Sequence, residues 1–128
     1  MTDLGLPYVV ALDADGGVLG YAYAGPYRSR PAYRHSVENS VYVAAEAHRR
    51  GVGGELLQRV IDDCTTLGWV RQMIAVIGNS ANTGSIALHE RFGFRHVGVF
   101  QSVGFKHGGW VDTVLMQRAI SEGDKKLP

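Results

Sequence analysis

The chain has 128 residues, and its formal net charge is only +1 at pH 7. This balance offers no basic surface for nucleic acid or for a membrane, so we expect neither as a partner. The single cysteine cannot form an internal disulfide, which favours a reducing compartment, the cytoplasm. We expect one domain over residues 1–128, with a polar and frayed tail at residues 121–128.

Apolar periodicity and turn residues predict the element order β-β-β-α-β-α-β-β. The predicted strands are residues 8–12, 18–24, 38–44, 73–77, 94–103 and 110–119, and the predicted helices are residues 52–66 and 85–92. We expect a hairpin turn at residues 13–17, an end to the second strand at Gly25-Pro26, and another turn at Gly108-Gly109. A helix after each of two central strands predicts an α/β domain with a mixed sheet.

Three of these elements carry a burial prediction. In the first helix, one face collects the apolar residues, and Gly68 is expected to cap its end. That face is made of Leu56, Leu57, Val60, Ile61 and Cys64, so we interpret Cys64 as a core residue and not a nucleophile. Residues 73–77 are continuously apolar, which predicts a strand buried on both faces. In the second helix, Ile86 and Leu88 are expected to point inward.

A glycine-rich turn joins the third strand to the first helix. Gly51, Gly53 and Gly54 carry no side chains, so a bulky anion can approach the backbone N–H groups at the helix N-terminus. This pattern predicts a pyrophosphate cradle, with an ordinary tight turn as the alternative. It is not a Walker loop, because no Gly-Lys-Ser/Thr follows, and Leu57 or Gln58 stands where a dinucleotide fingerprint has its third glycine.

The segment His48-Arg49-Arg50-Gly51-Val52-Gly53 resembles the acetyl-CoA pyrophosphate loop of the GNAT N-acetyltransferase family, Gln/Arg-x-x-Gly-x-Gly/Ala, with His48 in the first position. Residues 25–33, 37–43, 85–94 and 103–112 are similar to the phosphinothricin (methionine sulfoximine) N-acetyltransferase branch of that family. The resemblance covers about residues 8–117 and implies a GNAT-like, mixed, mostly antiparallel sheet with flanking helices. The family's domain begins with a strand and one or two helices ahead of the first hairpin. We therefore expect an N-terminally truncated form with an open edge strand at residues 8–12.

The resemblance implies that acetyl-CoA is the co-substrate and assigns residues to it. The implied cofactor-binding residues are Val41, Tyr42, Val43, Arg49, Arg50, Gly51, Val52, Gly53, Gly54, Asn82 and Ser85. Glu38 would be the general base, acting through a water, because a carboxylate near its reference pKa of about 4.3 is a weak base. His89 would donate to the leaving thiolate, which requires a cation or a hydrogen-bond donor. The alternatives are sheet pairing for residues 41–43, a solvated charge for Glu38, an N-cap for Asn82 and a packed histidine for His89.

Arg30, Tyr33, Phe105 and Lys106 are the candidates for the acceptor pocket, since Arg suits capture of an amino-acid carboxylate. His35, His96 and His107 show no metal-ligand spacing, so we expect no metal. The predicted function is transfer of acetyl from acetyl-CoA to the amino group of a small amino acid or analogue, by direct attack, in a homodimer. The alternative is a non-catalytic acyl-CoA-binding or dimerisation module, and the missing Walker lysine weakens a third possibility, a nucleotide-phosphate binder.

Overall fold

The computed structural model describes residues 5–48, 50–78 and 82–128. Their elements are β1 (Tyr8–Leu12), β2 (Val18–Pro26), β3 (Ser36–Val43), α1 (Val52–Leu67), β4 (Gln72–Ile77), α2 (Thr83–Arg91), β5 (Arg95–Lys106) and β6 (Gly109–Ala119), with 3₁₀ turns at Pro31–Tyr33 and Ala45–Ala47. The strands form one sheet in the order β1-β2-β3-β4-β6-β5. β3 and β4 run parallel, and the other four pairings are antiparallel. The predicted element order and mixed, mostly antiparallel sheet are confirmed.

Two turns show why the chain reverses where it does. In the first hairpin, Asp13 Oδ1 accepts hydrogen bonds from the N–H groups of Asp15 at 2.9 Å and Gly17 at 2.7 Å. The last hairpin turns at His107 and Gly108, both with positive φ, which suits a tight turn between twisted antiparallel strands. The turn therefore lies one residue earlier than the sequence predicted. Gly109, which was predicted to be in the turn, is the first residue of β6.

Two predicted features of the sheet are wrong. β2 does not end before Gly25-Pro26 but continues through both, with Pro26 opposite Val37 at its last position, where a missing N–H is tolerated. β4 is not buried on both faces: Met73, Ala75 and Ile77 are buried, whereas Val76 on the other face is 41% exposed. The described helices do not cover that face of β4, so its apolar run alternates between core and open surface.

The core lies between the sheet and α1. All five residues predicted to share a face of α1 are buried there, and Gly68 ends the helix in the left-handed conformation, as predicted. In α2 the buried residue is His89, 3% exposed, while Ile86 and Leu88 are partly buried against the core. The expectation that Ile86 and Leu88 form the inward face thus missed the most buried side chain of α2.

The opposite face of the sheet carries a row of aromatic rings. Tyr8, Tyr21, Tyr23 and Tyr42 stack across β1, β2 and β3, with ring centroids 4.9–6.1 Å apart. Side chains alternate along a strand, so Glu38 shares this face with Tyr42. The face is open: Tyr8 is 66% exposed and Tyr42 is 50% exposed. We refer to it below as the tyrosine face.

The C-terminal tail, for which the sequence predicts fraying, lies against Arg71. The Arg71 guanidinium donates to the carbonyl oxygens of Gly123 at 2.8 Å, Lys126 at 2.7 Å and Leu127 at 3.1 Å. The backbone carbonyl of Arg71 also accepts from the N–H of Ile120 at 2.9 Å, and Ile120 is fully buried. A single side chain therefore fastens the tail to the start of β4.

We expect Arg71→Met to lower the free energy of unfolding by about 1–3 kcal/mol, because hydrogen bonds from a charged donor are lost together. The matched control is Arg59→Met, which removes an exposed Arg59–Asp63 ion pair of 3.1 Å and should change stability by less than about 1 kcal/mol. Urea unfolding monitored by circular dichroism measures both. Equal losses in the two variants would mean that Arg71 does not fasten the tail.

Candidate functional site

The parallel pairing of β3 with β4 stops halfway along β3. The paired positions run from Ser36 opposite Gln72 to Asn39 opposite Ala75. Beyond that point β3 continues to Val43, paired with β2 on one side only in the described part of the chain. The backbone groups of residues 40–43 that face β4 therefore have no strand partner there. Apart from the Val43 carbonyl, which His48 contacts, they are available to a ligand.

A cavity of about 790 Å³ opens where the two strands part. Val41, Tyr42, Val43, Gly51, Val52, Gly53, Gly54, Asn82 and Ser85 line it, together with Ala47, His48, Gly84, Leu88 and Arg91. Nine of the residues predicted to bind the cofactor are thus brought together. Arg50 is exposed and does not belong to this lining, and Arg49 lies outside the described residues. Leu88 and Arg91 were missed, since nothing in the local sequence relates α2 to the glycine turn.

The N-terminus of α1 forms one wall of the cavity. Gly51 precedes the helix with φ 78°, and a Cβ built on it would meet nothing within 4 Å, so its surroundings are open. His48 Nε2–H donates to the carbonyl oxygen of Val43 at 3.1 Å, which ties the turn to the end of β3. A Cβ at Gly53 would instead lie 3.3 Å from Leu88 and 3.5 Å from Val43. Gly53 therefore provides close packing, and Gly51 is the position where a side chain would enter open space beside the cavity.

The first turn of α2 forms the facing wall. Asn82 Oδ1 accepts from the backbone N–H of Ser85 at 3.2 Å, so Asn82 is the N-cap that one interpretation of the sequence proposed. Both residues line the cavity, and the cap leaves the amide nitrogen of Asn82 outside this hydrogen bond. A cap role and a ligand role are therefore compatible, and the ligand role stays a prediction.

His89 belongs to α2, and its side chain lies behind this wall, facing Asn39 of β3. Its Nδ1 is 2.8 Å from the carbonyl oxygen of Ser85, and its Nε2 is 3.1 Å from Asn39 Oδ1. The Phe94 ring packs edge-on against it, with centroids 4.9 Å apart. Burial lowers the pKa of His89, partly opposed by the hydrogen bond to Ser85. The predicted role as a cationic acid therefore works against its environment.

Glu38 lies on the tyrosine face, at the other side of the sheet from α1. Burial raises the pKa of its carboxyl above the ordinary value, and the Arg28 guanidinium acts in the opposite direction. The raised pKa makes Glu38 a better base than a free carboxylate. Val41 is three residues further along β3, roughly 10 Å away at the usual rise of a strand. Arg28 was not among the predicted site residues, because its proximity to Glu38 depends on the path of the β2–β3 loop.

A second cavity, of about 460 Å³, lies at the start of β3, and its lining includes Arg28 but not Glu38. Arg28, Arg30, Arg34, Ser29, Pro26, Pro31, His35, Ser36, Val37 and Trp69 line it. Of the residues predicted for the acceptor, Arg30 belongs to this lining. Tyr33 packs edge-on against Tyr27 at 6.3 Å, while Phe105 and Lys106 lie at the exposed tip of the β5–β6 hairpin, outside the linings of both cavities. The structure therefore does not bring these four residues together.

Residues 5–48, 50–78 and 82–128 contain no cluster of three or more His, Cys, Asp or Glu side chains suited to a metal. Within the same ranges, no helix has the length and apolar character needed to cross a membrane.

Comparison with known proteins agrees with this geometry. The model of the Acetyltransferase (GNAT) family matches residues 2–94 of the chain. The chain is 54% identical over 126 residues to a phosphinothricin N-acetyltransferase of Alcaligenes faecalis, covering 98% of this chain and 63% of that protein. It is 43% identical over 113 residues to an L-methionine sulfoximine/L-methionine sulfone acetyltransferase of Pseudomonas aeruginosa, covering 88% of this chain and 64% of that protein. The chain thus spans less than two thirds of the length of these curated relatives.

Solved structures show the same fold. A GNAT superfamily phosphinothricin acetyltransferase from Sinorhizobium meliloti, in complex with AcCoA, superposes with a TM-score of 0.93 at 52% identity, covering 99% of this chain and 68% of that one. A protein from Salmonella typhimurium, solved with its cofactor acetyl-CoA, gives a TM-score of 0.90 at 38% identity, covering 99% of this chain and 70% of that one. The predicted GNAT-like sheet and the resemblance to the phosphinothricin branch are confirmed.

Proposed function

The chain belongs to the acetyltransferase (GNAT) family, and we propose that it transfers an acetyl group from acetyl-CoA to the amino group of a small amino acid or analogue. The observation that carries this proposal is the cavity at the end of the β3–β4 ladder, lined by free backbone of β3 and by the N-terminus of α1. The similar proteins named as phosphinothricin and methionine sulfoximine acetyltransferases support the class of acceptor.

The cavity suits the two parts of acetyl-CoA that proteins recognise by hydrogen bonds. The pyrophosphate would lie against the first N–H groups of α1, where the helix dipole favours an anion. The pantetheine amides would pair with the backbone of Val41, Tyr42 and Val43, in the position that β4 would occupy if its pairing with β3 continued. Asn82 and Ser85 would contact the pantetheine arm from α2. When bound, acetyl-CoA supplies the activated acyl group, and the protein supplies its position.

We expect Gly51→Ala to weaken binding of acetyl-CoA at least fivefold, because the added methyl group faces the open space where the phosphates would lie. Gly68→Ala is the matched control. Both glycines are left-handed helix ends with φ near 80° and no atom within 4 Å of a built Cβ, so the backbone strain is similar. Isothermal calorimetry measures the dissociation constants, and thermal melts confirm equal loss of stability. Equal affinity in the two variants would contradict the cradle.

The acceptor would lie on the tyrosine face, next to Glu38. Arg28, whose charge acts on Glu38, and Arg30 both line the cavity at the start of β3 and would hold the carboxylate of an amino acid by charge-assisted hydrogen bonds. In the reaction the amine nitrogen attacks the thioester carbon, the carbon–sulfur bond breaks, and coenzyme A leaves as the thiolate. Before the attack, the ammonium group loses one proton to Glu38 through a water. After the attack, the nitrogen loses a second proton as the amide forms, and that proton passes through solvent to the thiolate, giving the thiol of coenzyme A. Tyr33, Phe105 and Lys106 remain predicted acceptor contacts without support from either cavity.

We expect Glu38→Gln to lower kcat at least tenfold while leaving the affinity for acetyl-CoA nearly unchanged, because glutamine cannot accept a proton. The loss should shrink as pH rises from 6 to 9, since more of the acceptor amine is then already deprotonated. The control is Glu122→Gln, an identical change in the exposed tail.

Thiol release with a panel of amino acids and analogues measures turnover. If wild type turns over and Glu38→Gln matches it at every pH, Glu38 is a solvated strand-end charge. If wild type binds acetyl-CoA and acetylates no amine, the non-catalytic module is the better account.

We also propose that the protein is a homodimer. In the described part of the chain, β1 is an outer strand that pairs with β2 alone, and Val10 on it is 49% exposed. Exposed edge strands pair readily with a second chain. The resemblance to the phosphinothricin branch implies that a partner subunit contributes to the acceptor pocket. A cytoplasmic location is proposed as well, because a single cysteine cannot form an internal disulfide and this favours a reducing compartment.

We expect light scattering to give a dimer mass for the wild type and a monomer mass for Val10→Lys, because a charge on β1 opposes edge pairing. Trp110→Lys is the control: Trp110 is 69% exposed near the tip of the β5–β6 hairpin, away from β1, and the change should leave the dimer intact. A monomeric wild type at all concentrations, or a monomer from Trp110→Lys alone, would contradict pairing through β1.

A further inference from the structure

The hydrogen bonds of His89 determine which of its nitrogens carries a proton. Nδ1 lies 2.8 Å from the Ser85 carbonyl oxygen, which can only accept, so Nδ1 carries a hydrogen and donates it. If the ring is neutral, Nε2 then has a lone pair and must face a donor. The atom placed opposite Nε2 is Asn39 Oδ1, at 3.1 Å, which is a second acceptor. A neutral ring is therefore incompatible with this orientation of the Asn39 amide.

The amide nitrogen of Asn39 has the opposite problem, because it is a donor with no acceptor opposite it. Asn39 is 5% exposed, and its Nδ2 is buried with no hydrogen-bond partner among the described residues. The oxygen and nitrogen of an amide have nearly the same size, so a half-turn of the side chain exchanges them without changing the packing. After the turn, Nδ2 donates to Nε2 of His89. One rotation thus removes a contact between two acceptors and an unpaired buried donor.

The alternative is a doubly protonated His89 whose Nε2–H donates to Oδ1 of Asn39. That state keeps a cation in a ring that is 3% exposed, between Phe94 and the sheet, and leaves Nδ2 unpaired. A buried charge without a counterion is unfavourable. The pKa of His89 is lowered by burial, in agreement with the neutral ring.

We propose that Asn39 is a positioning residue whose Nδ2 donates to Nε2 of a neutral His89, and that this bond fixes α2 to β3. Asn39 is the last residue of β3 paired with β4, so the bond lies at the point where the cavity begins. His89 is one turn of helix beyond Ser85, and both ends of its ring hold that turn in place. The effect on acetyl-CoA rests on the function proposed above, whereas the hydrogen bond does not.

With this bond, neither ring nitrogen of His89 is free for proton transfer. Nδ1–H is committed to Ser85, and the lone pair of Nε2 is committed to Asn39. The ring therefore has no proton to give to a leaving thiolate without breaking the contact that holds α2. His89 acts through Asn82 and Ser85, which it keeps at the wall of the cavity, and not on the reacting atoms.

Nitrogen NMR of protein labelled in its five histidines tests the bond directly. At pH 7 we expect the His89 signals of a neutral ring with hydrogen on Nδ1 only. In Asn39→Asp, a carboxylate that cannot donate faces Nε2, so we expect both nitrogens to carry hydrogen. His89→Gln assigns the signals, and His96→Gln, at a histidine whose side chain is 52% exposed, is the control that leaves the His89 signals in place. Hydrogen on Nε2 of the wild-type ring would overturn the proposal.

Binding and kinetics test the positioning role. Asn39→Leu, of similar size, should weaken acetyl-CoA binding at least fivefold with the fold intact by circular dichroism, and unchanged affinity would overturn the role. His89→Gln should raise KM for acetyl-CoA while kcat falls less than tenfold. A larger fall of kcat at unchanged KM would show that His89 is a catalytic acid. If wild type binds no acetyl-CoA, the proposed function fails, and the NMR result still decides the bond.

Discussion

The early end of the parallel ladder between β3 and β4 is the constraint on which the site depends. β4 can leave β3 after Ala75 because its other edge is paired with β6 along its whole length, from Gln72 to Ile77. Beyond Asn39, β3 is paired with β2 alone in the described part of the chain, so over residues 40–43 its edge towards β4 has no strand partner. A single gap of this kind is a place for an extended ligand with amide groups of its own, since the ligand completes the sheet's hydrogen bonds.

The glycines around the start of α1 have different tasks, and together they place α2. Gly51 allows the left-handed conformation that begins the helix. Gly53 lets Leu88 approach, and a Cβ at Gly54 would lie 3.4 Å from the ring of Phe92. The glycine turn thus serves the approach of α2 as well as the proposed approach of an anion. With α2 held by these contacts and by His89, both walls of the cavity have fixed positions.

The sequence predicted the features that depend on neighbouring residues. The apolar period of α1, its end at Gly68 and the hairpin at Asp13 were all found where expected, because each is determined within a few residues. Other contacts join distant parts of the chain: Asn39 and His89, behind the cavity, are 50 residues apart, and Arg71 and Gly123, which hold the tail, are 52 apart. A histidine on a helix gives no local sign of such a partner. Likewise, the apolar run of β4 indicated hydrophobicity but not which face a helix would cover.

The environment of Glu38 links the proposed acceptor to the strength of the base. Two effects act on its pKa: partial burial raises it, and the Arg28 guanidinium lowers it. An amino acid on the tyrosine face would exclude water and strengthen the first effect. If its carboxylate paired with Arg28, the second effect would weaken, because the guanidinium charge would then be neutralised. Both changes raise the pKa of Glu38, whereas the ammonium group of the acceptor, a cation beside the carboxylate, lowers it. The carboxylate of the acceptor thus offsets through Arg28 part of the effect that its ammonium group has on the base.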